Sequence, residues 1–260
     1  CELSTEEKAK EIPVMPEELT LDMLSSYPGY ESTRTKVPVG IDTSSLQAYY
    51  LPMETSPAFV IGGVKTGKTN VIRNMLELIR GEVTYLFDSK NHDLASYQSR
   101  DKLVYAGDKA SAAEALGKIS EEVSRRKEGY EEAKLDQMDL TAAEFMKSLP
   151  PVYVMIDMLQ DLYENIGEDN SLIDILEEAV RYGIYILVTS EMKVKKMTRS
   201  KFIDMLIASR EALILGNIRE QLLFSYTGIR EENRQVEFGY YHNAGVSRKV
   251  KLIMHKGKQN

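Results

Sequence analysis

Short apolar strands alternating with amphipathic helices predict an α/β domain: a mainly parallel sheet flanked by helices, behind a short N-terminal leader. Two observations carry this prediction. Apolar runs at 58–61, 152–156 and 184–188 have the near-continuous character of strands buried on both faces. The run Gly62-Gly63-Val64-Lys65-Thr66-Gly67-Lys68-Thr69 fits the P-loop pattern G-x-x-x-x-G-K-[ST], directly after one such strand and before a helical repeat.

Taken in order, Ser4-x-x-Glu7 reads as a capping box that starts a short charged helix, stopped by Pro13 and Pro16. Tyr27-Pro28-Gly29-Tyr30 reads as a turn. Residues 37–41 and 48–51 are expected as short edge strands around a hairpin, and Ala58 to Ile61 as the strand feeding the P-loop. Val71, Ile72, Met75, Leu76 and Ile79 recur at helical spacing until Gly81, before a strand at 83–87. Asp108 is expected to cap a long helix striped by Ala112, Leu116, Ile119 and Val123, and Thr141-x-x-Glu144 to open a shorter one. After Pro150-Pro151 come a strand at 152–156 ending in Asp157, a helix at 171–181, a strand at 184–188 ending in Thr189-Ser190, a helix near 199–209 and a strand at 212–215. Residues 239–242 and 250–254 read as a terminal hairpin.

Composition narrows the function. With 260 residues, 43% hydrophobic and 28% charged, the chain has the make-up of one principal globular domain rather than a disordered segment. No apolar run reaches the roughly 18 residues that cross a bilayer, and the acidic, polar start is unlike a signal peptide. Cys1 is the sole cysteine, so intrachain disulfides and Cys-based metal sites are excluded, which suits a reducing cytoplasm. A first residue Cys rather than Met hints at a piece of a longer protein. His92, His242 and His255 are too scattered for a metal site. The net charge of −7 disfavours nucleic acid as a partner. One basic cluster, Lys193, Lys195, Lys196, Arg199 and Lys201, reads as a solvated loop, with a neighbouring subunit or an anionic ligand as the alternative.

The P-loop residues predict a nucleoside triphosphate site. Its glycines let backbone N–H groups turn toward the β- and γ-phosphates, Lys68 adds a point charge, and the Thr69 hydroxyl suits Mg²⁺ at the helix N-terminus. Asp157, closing an apolar strand, is the expected carboxylate that orders Mg²⁺ through water. One predicted strand, 83–87, falls between the P-loop and Asp157, the order found in ATPases that polarise water with a glutamate just after that Asp. Here the position is Met158, and a thioether cannot accept a proton, so slow hydrolysis is expected. Asp161 reads as a helix cap or surface pair, or as a substitute for the missing acid. Thr189 and Ser190 suit a γ-phosphate sensor and equally suit a turn. Arg210 and Arg219 read as surface arginines or as fingers reaching a neighbour's site.

Several stretches together resemble the FtsK/SpoIIIE branch of P-loop ATPases, and within it the last ATPase domain of the EssC/EccC proteins. Residues 37–42 resemble I-P-x-G-x-D; Asp88-Ser89-Lys90 with Leu94 and Tyr97 resembles D-P-K…L…Y; residues 122–126 resemble E-M-x-R-R. Residues 157–162 resemble D-E-F-A-D-L with the glutamate lost, and 183–190 resemble G-I-H-L-I-L-A-T-Q, with Ser190 near the glutamine. Gly239-Tyr240-Tyr241-His242 resembles the closing G-x-G-Y-Y, and Ile12-Pro13-x-Met15-Pro16 with Leu19 an inter-domain linker.

The resemblance implies a RecA/FtsK-like fold over residues 37–260 behind a leader or inter-domain linker at 1–36. It implies ATP and Mg²⁺ as ligands, with contacts at Gly62, Gly67, Lys68, Thr69 and Asp157. It further implies a cytoplasmic module of a membrane-anchored bacterial protein, with neighbouring ATPase domains in the same polypeptide, a hexameric machine, and small helical Trp-x-Gly-type proteins as cargo. Loss of the glutamate makes it a weak, degenerate ATPase of type VII secretion. Two other readings remain at this stage: a docking or regulatory module without hydrolysis, and an FtsK-like DNA translocase, which the acidic charge disfavours.

Overall fold

The computed structural model describes residues 14–167, 171–192, 200–229 and 235–255. Along strand β6 (Val152–Ile156), the side chains of Val152, Val154 and Ile156 enter one core while Tyr153 and Met155 enter another. Strand β3 (Ala58–Gly62) divides likewise, Phe59 and Ile61 against Ala58 and Val60. Two apolar faces on one strand require cover on both sides of the sheet. Helices α2 (Lys109–Asp136), α4 (Leu159–Ile166), α5 (Ser171–Arg181) and α6 (Lys201–Ala208) cover one face, and α1 (Lys68–Leu78) the other. A fully buried Val, Leu or Ile in these layers contributes about 1.5–3 kcal/mol.

The remaining strands are β1 (Lys36–Asp42), β2 (Ala48–Pro52), β4 (Val83–Phe87), β5 (Leu103–Ala106), β7 (Ile184–Ser190), β8 (Glu211–Leu215), β9 (Phe238–Asn243) and β10 (Val246–Leu252). All ten form one sheet in the order β2-β1-β10-β9-β8-β3-β7-β6-β4-β5. From β8 to β5 every pairing is parallel; from β2 to β8 every pairing is antiparallel.

The expected α/β architecture is present, with three corrections. Two strands, β4 and β5, separate the P-loop from Asp157 in sequence, not one; β5 is only four residues long and half-exposed at the sheet edge. Strand β1 is not an edge, because β10 pairs along its other side. The terminal hairpin is longer on its inner side, turning through Ala244 and Gly245, both at positive φ, as a tight two-residue hairpin requires. Asp108 and Thr141 do cap α2 and α3 (Ala142–Ser148), each in a capping box.

Leu19, Leu24 and Tyr27 pack into a third small core with Ile41, Tyr50 and Ile253. Leu19 bridges Ile253, and the Met254 N–H donates to the Leu19 carbonyl at 2.8 Å. The carbonyl of Ile253 in turn accepts from Asn70 Nδ2 at 2.8 Å and Asn74 Nδ2 at 3.0 Å, both on α1. The expected helix at Ser4–Glu7, the Pro13 stop, and Lys193, Lys195, Lys196 and Arg199 of the basic cluster lie outside the described residues.

Candidate functional site

Strand β3 delivers the chain into the P-loop at Gly62, where a Cβ would stand 2.5 Å from Thr66 Oγ1 and 2.9 Å from Leu215 Cβ. Only glycine fits there. Lys65 (φ 58°) and Gly67 (φ 98°) are left-handed, and this alternation of backbone hand turns successive N–H groups into one concavity. Thr66 Oγ1 donates to the Gly63 carbonyl at 3.0 Å and braces the loop. Gly67 precedes α1 with no side-chain cap, so the first-turn N–H donors of α1 point into the concavity with the positive end of the helix dipole. The Lys68 ammonium is held over the loop, donating to the carbonyls of Gly62 (2.9 Å) and Gly63 (2.6 Å). Burial lowers its pKa; the charges of Asp157 and Glu191 oppose that shift.

Asp157, at the end of β6, lies two strands from the P-loop strand, with β7 between. Its Oδ2 accepts from Thr69 Oγ1 and its Oδ1 from Thr189 Oγ1, both at 3.0 Å. Burial raises its pKa against those two hydroxyl bonds, and nearby Asp88 raises it further. A buried carboxylate beside a hydroxyl is a donor set that suits a hard cation such as Mg²⁺. Among the described residues no three His, Cys, Asp or Glu side chains cluster as a metal site.

Met158 follows at φ 65°, its N–H donating to Thr189 Oγ1 at 2.9 Å. Thr189 thus bonds to Asp157 and positions the residue after it, while Ser190 Oγ accepts from Gln160 Nε2 at 2.8 Å. Asp161 is buried in the first turn of α4, where it accepts from the Lys90 N–H at 3.0 Å and pairs with the Lys90 ammonium at 3.4 Å. That carboxylate holds the loop after β4. Asp88 is a second loop anchor, accepting from the N–H groups of Ser89 and Leu94 and from Tyr105 Oη.

The two arginines separate. Arg210 precedes β8 and lies at the opposite end of the sheet from its own P-loop, a five-residue strand or roughly 17 Å away. Arg219, in a 3-10 turn after β8, lies at the P-loop end. A cavity of about 510 Å³ opens beside the loop on the β8 side, lined by Gly63, Val64, Thr66, Met192, Asn217 and Val236 among others. It touches the outer lip of the P-loop rather than Thr69 or Asp157. Sequence reasoning missed Gln160 and Glu191; the cue was that polar residues just past a strand end beside a P-loop face the ligand crevice.

No family model matches the chain. It is 25% identical over 257 residues to the ESX secretion system protein EccC of Geobacillus thermodenitrificans, covering 94% of this chain and 17% of that relative. The chain therefore spans about a sixth of the relative's length (17%). Among solved structures, the cytoplasmic domain of EssC superposes with a TM-score of 0.80 at 22% identity, over 94% of this chain and 49% of that one. A Geobacillus thermodenitrificans EssC structure containing ATPases 2 and 3 gives 0.77 at 22% identity, over 94% of this chain and 46% of that one. Residue order, the P-loop's place in the sheet and these similarities agree: the chain is similar to the EssC/EccC proteins and has the fold of their ATPase domains.

Proposed function

We propose that this domain binds ATP with Mg²⁺ at Gly62–Thr69 and Asp157, hydrolyses it slowly, and serves as one module of a type VII secretion motor. The observation that carries the reading is the Thr69–Asp157–Thr189 hydrogen-bond chain beside a loop with left-handed Lys65 and Gly67. The N–H groups of the loop and of the start of α1 would bind the phosphates, and Lys68 would exchange its two carbonyl partners for phosphate oxygens. Mg²⁺, when bound, neutralises charge on the transferring phosphoryl group; Thr69 and Asp157 would hold it. Hydrolysis is slow in this reading because Met158 offers no base at the position directly after Asp157. The domain would act on the cytoplasmic side of a bacterial membrane, beside other ATPase domains of the same polypeptide, in a hexamer that exports small helical Trp-x-Gly-type proteins. DNA is not a substrate in this reading.

One observation favours a second reading, a docking or regulatory module that binds no nucleotide: the Lys68 ammonium is already satisfied by two loop carbonyls. Titration with fluorescent ATP separates the two. Micromolar binding that Lys68→Ala abolishes supports the ATPase module, whereas no binding up to millimolar ATP leaves the docking module.

A further inference from the structure

We propose that Glu191 is the carboxylate that orients and deprotonates the attacking water, taking over the task that Met158 cannot perform. The inference rests on the ATP-binding reading above. Strand β7 is hydrogen-bonded to β3 on one side and to β6 on the other, with Ser190 level with Ile61 and Val188 level with Ile156. Extending both registers, Glu191 stands level with Gly62, at the mouth between the P-loop and Asp157. Its neighbours Ser190 and Met192 are buried while Glu191 is exposed, so its side chain projects out of the sheet end rather than into the core.

Gln160 fixes it there, donating to Ser190 Oγ and accepting from the Glu191 N–H at 3.3 Å. The other acids at this mouth are engaged: Asp157 by two hydroxyls, Asp88 by two N–H groups and a phenol, and Asp161 and Glu164 by Lys90. Among the described residues the Glu191 carboxylate receives no hydrogen bond. Its charge is also felt by Lys68 on one side and Lys90 on the other.

In the step assigned here, a water oxygen bonds to the γ-phosphorus as the bond from phosphorus to the β,γ-bridging oxygen breaks. The bridging oxygen leaves on ADP with the electron pair. One water proton passes to the Glu191 carboxylate and on to solvent, giving ADP and inorganic phosphate.

The test uses the whole chain as wild type, Glu191→Gln, Glu191→Asp and the double variant Glu191→Gln/Met158→Glu. Fluorescent-ATP titration and phosphate release are measured on each. Expected are an affinity in Glu191→Gln within about twofold of wild type and phosphate release slower by about 100-fold, the scale of a lost general base. Phosphate release by Glu191→Asp should be intermediate, and the double variant should regain turnover. Unchanged phosphate release in Glu191→Gln, or a wild type that binds ATP and releases no phosphate, overturns the assignment while sparing the binding reading. A wild type that binds no ATP refutes both.

Discussion

Arg126 offers the sharpest stability test. Its guanidinium is 1% exposed and donates to Glu122 Oε1 (2.7 Å), the Pro150 carbonyl (2.8 Å), the Gly183 carbonyl (3.0 Å) and the Tyr182 carbonyl (3.1 Å). Pro150 lies two residues before β6 and Gly183 directly before β7, which are neighbours, so one side chain of α2 ties together the starts of two central strands. Each hydrogen bond to a charged group is worth about 1.5–3 kcal/mol, but removing the arginine from water costs several kcal/mol, so the four do not sum. Arg126→Ala leaves Glu122 with Arg125 as its remaining arginine and takes a buried donor from three carbonyls, and should cost about 3–5 kcal/mol, the range for breaking a buried pair.

Urea unfolding of wild type and variant, compared at a common slope, measures it. Acid pH adds a second readout. Burial raises the Glu122 pKa, but hydrogen bonds from Arg125 and Arg126 outweigh burial and bring it below 4.5. Its contribution is therefore fully present above the unfolded pKa and is lost as pH falls through the lower folded value. Wild-type stability should decline there more steeply than that of Arg126→Ala. A loss under about 1 kcal/mol, the worth of an ordinary surface pair, would refute the clamp.

Three further outcomes are expected. Met158→Glu should raise phosphate release from ATP, read as kcat at saturating nucleotide, if the rest of the site is intact. Gly216→Ala should lower stability by about 1–2 kcal/mol in the same urea assay, because a left-handed non-glycine residue costs that much and its Cβ would crowd Thr66 Cγ2 at 3.1 Å; nucleotide affinity should fall with it. Asn74→Ala leaves the Ile253 carbonyl with Asn70 as its remaining α1 partner, and should cost about 1 kcal/mol while speeding amide exchange at Met254, whose N–H bonds to Leu19.

The buried strands were legible because they read as unbroken apolar runs, and the P-loop because its eight residues sit between such a run and a helical stripe. Strand β5 was not: Leu103 to Ala106 is short, and three of its four residues are only half-buried. Helix α4 was missed for a related reason, since its eight residues follow directly on Asp157-Met158 with a left-handed residue in place of a side-chain cap. Neighbouring arginines show where pattern reading stops. Arg125 is 63% exposed and Arg126 1%, a difference set by the strand ends facing α2 and invisible in the dipeptide itself. Arg210 was placed near a strand, but which end of that strand faces the nucleotide follows only from sheet direction.

The link from Leu19 through Ile253 to Asn70 and Asn74 has a mechanical consequence. Tension applied to the chain ahead of Leu19 reaches α1, which carries Lys68 and Thr69, through the Ile253–Met254 peptide group and the adjoining His255 N–H, which donates to Asn70 Oδ1 at 2.8 Å. A pull on that segment and a shift of the P-loop helix are thus two ends of one short lever, and load on either is felt first by the other.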